Sequence, residues 1–325
     1  MIRISTMLLP LLLLIASAVA AMADSAKDML AAGRVDEAIS ELNTRLSSAP
    51  DANSSNLLCR AYFALEDWDR AGASCKKAVA LDPNNSRYHL WLGRAYGEKA
   101  EHANFVTAAR LAPNVRAEFE RAVQLDPNDV DARLNLAEFY AQAPAIVGGG
   151  AQQAREQAQS IALLSPPRQH WVYARIAEEK KDAATAESEY RQYVDLSHGD
   201  AEALLNLALF LRRQNRLDEM EQTALKLRQA PLPKPDVLVE AAALLNRAGR
   251  SYPFATELLR RYLASGPVEA APAFKAHYLL GTLLEKQGDK AGAAQEYRAS
   301  LALARNFGMA QQALNRVAQQ RPLAK

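Results

Sequence analysis

The sequence is short of most of what catalysis and metal binding require. It holds only two cysteines, Cys59 and Cys75, and five histidines, His89, His102, His170, His198 and His277. No two histidines stand three or four residues apart and there is no HExxH pattern, so no zinc ligand set can be read. A GxSxG nucleophile elbow is missing as well. The run Gly148-Gly149-Gly150 lacks the following Gly-Lys-Ser/Thr that a phosphate-binding loop needs, and reads instead as a flexible connection between helices. Glycine and proline are sparse, 14 and 15 of 325 residues, which excludes a collagen-like or disordered chain. Neither sign of charge dominates. The 39 Lys+Arg and 37 Asp+Glu leave a formal +2, without the basic excess of a nucleic-acid binder. Beyond residue 23 no apolar run is long enough to cross a bilayer. The expectation is therefore a protein that is not an enzyme and that takes no metal, cofactor or nucleic acid.

The start of the chain carries a targeting pattern. Arg3 supplies the positive charge, Met7 to Ile15 an apolar core, and small residues follow at Ala18-Val19-Ala20 and Ala21-Met22-Ala23. This predicts a signal peptide over 1–23, cleaved after Ala23, with Ala20 as the other small-x-small site. No cysteine lies near either point, which argues against a lipoprotein. The apolar core contains Pro10 and is short for a span, so an uncleaved membrane anchor is the alternative. The protein is expected in a periplasm-like compartment or outside the cell.

What the rest of the chain has is repetition. The segments DEAISELNTRLSSAPD, DRAGASCKKAVALDPNN, VRAEFERAVQLDPND and DKAGAAQEYRASLALAR share a small residue with an apolar or aromatic one four later. That spacing puts both on one helix face. Pro50, Pro83, Pro127 and Pro166 then end helices, because proline disfavours helical geometry in the residue before it. Each segment follows a second helical pattern, as in LLCRAYFAL, LWLGRAYGEKA, LNLAEFYAQ and YLLGTLLEKQGD. Small residues at Cys59, Gly93, Ala137, Ala174, Ala208, Ala243 and Gly281 let a partner helix approach.

These residues resemble the tetratricopeptide repeat over nearly all of the chain after the signal. The units are read at 52–85, 86–129, 130–168, 169–200, 201–235, 236–273 and 274–306, after a truncated repeat at 24–51. A capping helix over 307–320 and a tail at 321–325 complete the solenoid region, 24–320. Two units are longer than usual: 102–114 (HANFVTAARLAPN) adds about ten residues between the helices of one, and 143–151 (APAIVGGGA) about five to the next. A lone helical pair cannot bury its apolar face, so stacked neighbours share a continuous core. The resemblance implies an all-α, right-handed superhelical solenoid, a curved rod with a concave inner face.

Carried over residue by residue, the resemblance places the non-partner side of each first helix in that concavity. The candidates are Asn53, Asn56 and Arg60; Arg87, Leu90 and Arg94; Asp131, Leu134 and Glu138; Arg168, Trp171 and Arg175. Leu205, Leu209 and Arg212, Glu240, Leu244 and Arg247, and Lys275, Tyr278 and Thr282 follow in later units. Arg60, Arg94 and Arg175 occupy one place in their respective repeats, and arginine makes forked bonds to carboxylates. This suggests a groove for acidic segments or C-termini of other proteins; the lysines of the family's known carboxylate clamp are absent. The resemblance also sets Cys59 and Cys75 face to face within one hairpin, as a disulfide or as two buried thiols. The implied function is a non-enzymatic interaction scaffold of the cell envelope. A structural subunit of an envelope or secretion complex, or a factor recruiting substrate to a separate enzyme, are the alternatives.

Overall fold

Two signals punctuate three of the helical pairs. Where a first helix ends, one residue turns left-handed: Glu66, Lys181 and Gly288 have φ of 61°, 59° and 87°. An aspartate follows, and Asp67, Asp182 and Asp289 each accept a hydrogen bond from the backbone N–H three residues on, of Arg70, Thr185 and Gly292. Asp51, Asp129 and Asp200 cap first helices in the same way, at Ser54, Ala132 and Ala203. Each cap satisfies a donor that the first helical turn leaves without a partner, and contributes about 1 kcal/mol.

The computed structural model describes residues 26–319, so the expected signal peptide and the tail lie outside the described residues. Between them the chain is helical, with seventeen α-helices and no strand among the described residues. A short α1 (26–31) and α2 (Val35–Ser48) form the leading unit. First helices α3 (Ala52–Ala64), α5 (Ser86–Glu101), α7 (Val130–Gln142), α9 (Pro166–Glu179), α11 (Ala201–Arg213), α13 (Val237–Ala248) and α15 (Ala273–Lys286) alternate with second helices. These are α4 (Trp68–Leu81), α6 (Phe105–Leu125), α8 (Ala151–Leu164), α10 (Ala183–Leu196), α12 (Leu217–Leu225), α14 (Tyr252–Ser265) and α16 (Lys290–Leu303), before the closing α17 (Gly308–Gln319). Close packing explains the small residues. A Cβ on Gly93 would lie 2.5 Å from the Phe119 ring, and one on Gly281 would lie 2.6 Å from Tyr297. Cys59 and Cys75 are disulfide-bonded across α3 and α4, with Cα atoms 5.1 Å apart.

Both long connections differ from what the sequence suggested. Residues 105–114 are not a spacer between helices; they are the first turns of α6, which runs 21 residues against 14 in α4 and α8. Asn104 caps the Thr107 N–H, and the helix passes through Pro113. The glycine run is not a loose loop. Pro144 leads a short 3-10 turn, Ala145–Val147, and the Gly150 N–H bonds back to the Tyr140 carbonyl at 2.8 Å. Gly148 is left-handed, and any side chain on Gly149 would run into the Ala143 carbonyl.

The largest departure from the expected open rod is at the ends, which meet. Gly33, in the turn after α1, lies so near α15 that a Cβ there would be 2.8 Å from the Ala273 nitrogen. Arg60 forms a forked ion pair with Glu269, in the connection before α15, and Lys275 bonds Glu66 at 2.7 Å. The Arg305 N–H donates to Asp36 at 2.7 Å. Phe274, Phe307 and Ala310 belong to the same apolar core as Ala26 and Leu30. Val35, Ala38 and Leu42 of α2 are buried in that same core, so the C-terminal repeat packs against the leading unit.

Candidate functional site

The closure decides which of the sequence candidates face a ligand. Asn56 and Arg60 are four apart on α3 and share a face, and that face is turned toward the C-terminal end. Asn56 is consequently buried, at 1% exposure, with its Nδ2 unbonded, and is not a groove residue. Arg60 is tied to Glu269, with side-chain exposures of 14% and 17%, so its fork is already occupied. Asn53 and Arg87 are both exposed. Leu244 is fully buried in the core rather than lining the concavity.

Further along, the inner faces of α7, α9, α11 and α13 converge on a depression of about 260 Å³. Leu134, Trp171 and Leu205 give it an apolar strip, and the Trp171 indole N–H donates to Asn206 at 2.9 Å. Arg168 bridges Asp131 and Glu202 across the strip at 3.1 and 3.0 Å. Glu240, at its far edge, has its carboxyl pushed up, first by the protein crowded around it and then by Asp236 and Glu202.

The third groove position of the first helices from α3 to α13 holds a row: Arg60, Arg94, Glu138, Arg175, Arg212 and Arg247. Arg175 is committed to Glu178 at 2.8 Å and leans on Glu138 at 3.6 Å. Arg94 donates to Asn135 at 3.3 Å and lies over the Trp91 ring, 5.1 Å from its centroid. Among the described residues Arg94, Arg212 and Arg247 have no ion-pair partner. Burial draws the Arg94 guanidinium below its usual value, as it does Arg247, where the like charge of Arg212 adds to the effect. Arg212 and Arg247 lie near enough for their like charges to repel.

A second, larger cavity, of about 810 Å³, opens beside the row and is lined in part by Arg94, Glu138 and Arg175. Its walls are the two connections of unusual length. The extra turns of α6 supply Phe105, Ala109 and Ala112, and the tight turn supplies Pro144, Ile146 and Val147. Sequence reasoning missed these residues. The available signal was that two anomalous spacings fell in adjacent units and carried Phe105, Val106, Ile146 and Val147 where connections are ordinarily polar.

The histidines are explained by the hairpins. His89, His170 and His277 sit at equivalent places on first helices and bond Glu118, Glu189 and Glu296 of the following helix at 2.6, 2.7 and 2.7 Å. His102 stacks on Trp68, with ring centroids 5.7 Å apart.

A family model for the tetratricopeptide repeat matches residues 24–86, 57–113 and 240–306. No curated protein sequence matches the chain. Among solved structures, yeast Tom70 is similar over 88% of this chain and 58% of its own, at 17% identity and a TM-score of 0.50. A chain of the APC/C hetero-tetramer Cut9-Hcn1 matches 90% of this chain and 54% of its own, at 15% identity and a TM-score of 0.40. A thermophilic repeat protein of Thermus thermophilus matches 55% and 91%, at 19% identity and a TM-score of 0.45. The chain spans little more than half the length of Tom70 and of the Cut9-Hcn1 chain, and what it shares with Tom70 is the fold.

Proposed function

We propose that this tetratricopeptide repeat protein is a non-catalytic scaffold of the cell envelope that holds an acidic segment or C-terminus of a partner protein. The observation that carries the reading is the pair Arg212 and Arg247. Neither has a carboxylate within ion-pair distance among the described residues, and Arg212 shares α11 with Leu205 of the apolar strip. Arginine left without a partner in a concavity is costly unless a ligand supplies the counter-charge, and its planar fork suits a carboxylate. Export is supported by Arg3 with the apolar stretch Met7 to Ile15, and by the Cys59–Cys75 disulfide, since such bonds persist in oxidising compartments. Among the described residues no helix is long and apolar enough to cross a membrane.

The test is fluorescence anisotropy with a labelled peptide rich in Asp and Glu. Replacing Arg212 and Arg247 together with Glu should weaken binding by about a hundredfold, roughly tenfold for each reversed contact. Added salt should weaken the wild-type complex as well. Equal affinity for both proteins, or for a Lys-rich control peptide, would remove the reading.

A further inference from the structure

The large cavity calls for a different occupant from the row beside it. Of the large apolar side chains left exposed, Phe105, Val106 and Ile146 are the most open with Leu163, at 81%, 76%, 92% and 87%. Phe105 and Ile146 line this one cavity, and Val106 is next in the chain to Phe105. Clusters of that kind on a folded surface ordinarily mark a docking site. The volume, about 810 Å³, is more than one side chain fills and lies in the range of built ligand pockets. Phe105, Ala109, Ala112 and the turn residues Pro144, Ile146 and Val147, which belong to the two lengthened connections, complete its wall.

The polar groups around the cavity are mostly acidic. Glu98, Glu101 and Glu138 line it together with Arg94 and Arg175. Arg175 serves Glu178 and leans on Glu138, and Arg94 turns toward Asn135 and Trp91. Glu101 has no hydrogen bond or ion pair among the described residues, and the side chain within ion-pair distance of Glu98 is the His102 imidazole, at 3.9 Å. Burial pushes the carboxyls of both Glu98 and Glu138 up, and Glu101 adds to each by repulsion. Glu98 and Glu101 thus line the cavity with no Lys or Arg within ion-pair distance among the described residues.

We propose that the cavity between α6 and the 143–150 turn receives bulky apolar side chains of a partner segment whose neighbouring residues are Lys or Arg. The apolar groups enter between Ala109, Ala112, Phe139 and Val147, and the flanking cations meet Glu98 and Glu101. The assignment rests on the reading of the chain as a polypeptide-binding scaffold, and it names a second contact surface with the opposite charge preference. A partner would present an acidic stretch to the arginine row and an apolar, basic stretch to this cavity.

A short fluorescein-labelled peptide of Phe and Lys is the probe, titrated against the folded protein, with a Phe and Glu version and a Ser and Lys version as controls. The Phe and Lys peptide should bind at least about tenfold more tightly than either control. Ala109→Trp, which fills the cavity from one wall, and Glu101→Lys, which changes an exposed side chain, should each lower its affinity about tenfold or more. Circular dichroism checks that both variants fold. The Arg212→Glu, Arg247→Glu protein should bind the Phe and Lys peptide undiminished. Equal binding of the Phe and Glu peptide, or indifference to both Ala109→Trp and Glu101→Lys, overturns the assignment. So does a dimer in light scattering that Ile146→Asp converts to monomer, since a second copy would then be the occupant. If the acidic peptide binds the row while the Phe and Lys peptide does not bind, this inference fails alone; if neither binds, the scaffold reading fails with it.

Discussion

Replacing Gly33 with alanine tests whether the two ends of the array meet. Gly33 has φ +74°, and a Cβ there would lie 2.8 Å from the Ala273 nitrogen and 3.0 Å from its Cβ. Two penalties combine. The left-handed backbone costs an alanine about 1–2 kcal/mol. The overlap with Ala273 forces the turn and α15 apart, at a further cost of about 1–3 kcal/mol. Gly288 provides the control, because its φ is +87° and nothing lies within 4 Å of the position a Cβ would take. Gly288→Ala should therefore lose only the backbone part, about 1–2 kcal/mol. Urea unfolding followed by circular dichroism reads the difference, and small-angle scattering reads shape: Gly33→Ala should enlarge the maximum dimension and Gly288→Ala should not. If the two variants are equally stable and scatter alike, the ends do not meet in solution and the account of Asn56 and Arg60 falls with the seam.

Reduction of the Cys59–Cys75 bond, or Cys59→Ser, should lower stability by about 3 kcal/mol for a loop of sixteen residues; intact protein alkylated after unfolding without reductant should gain no mass. Gly281→Ala drives a methyl into Tyr297, 2.6 Å away, and should lower stability by about 1–3 kcal/mol in the same unfolding assay. Burial alone would raise the Glu178 carboxyl, but hydrogen bonds from Arg213 and Tyr190 with the charges of Arg213 and Arg175 outweigh it and hold it below its usual range. Because the folded form binds that proton more weakly than the unfolded chain, its contribution is present above the ordinary carboxylate pKa and is lost as pH falls through the depressed value. Glu178→Gln should accordingly destabilise at pH 7 and give a flatter acid limb in thermal melts; an unchanged limb would remove Glu178 from the acid response.

What could be read from the residues and what could not divide along a physical line. Capping aspartates, small residues under aromatic rings and the facing cysteines are decided within one hairpin, over distances that helical periodicity describes. Repetition therefore exposes them. Arg212 and Arg247 belong to this class, because neither needs a neighbour further away than the next unit. Pro113 does not. Proline marks many helix ends here, so 102–114 read as a spacer; yet Asn104 starts a helix that runs through it, and the extra turns become a cavity wall. Asn56 and Arg60 were misplaced for a longer-range reason. Their spacing puts them on the inner side of α3, but what covers that side is fixed by small rotations accumulated over seven units, and no local pattern encodes that sum. The Glu269 that occupies Arg60 is 209 residues away. In a chain of this kind, then, candidate contacts in the middle of the array can be taken from register alone. Those near either end depend on whether the array closes, which contacts between residues as far apart as Arg60 and Glu269 decide.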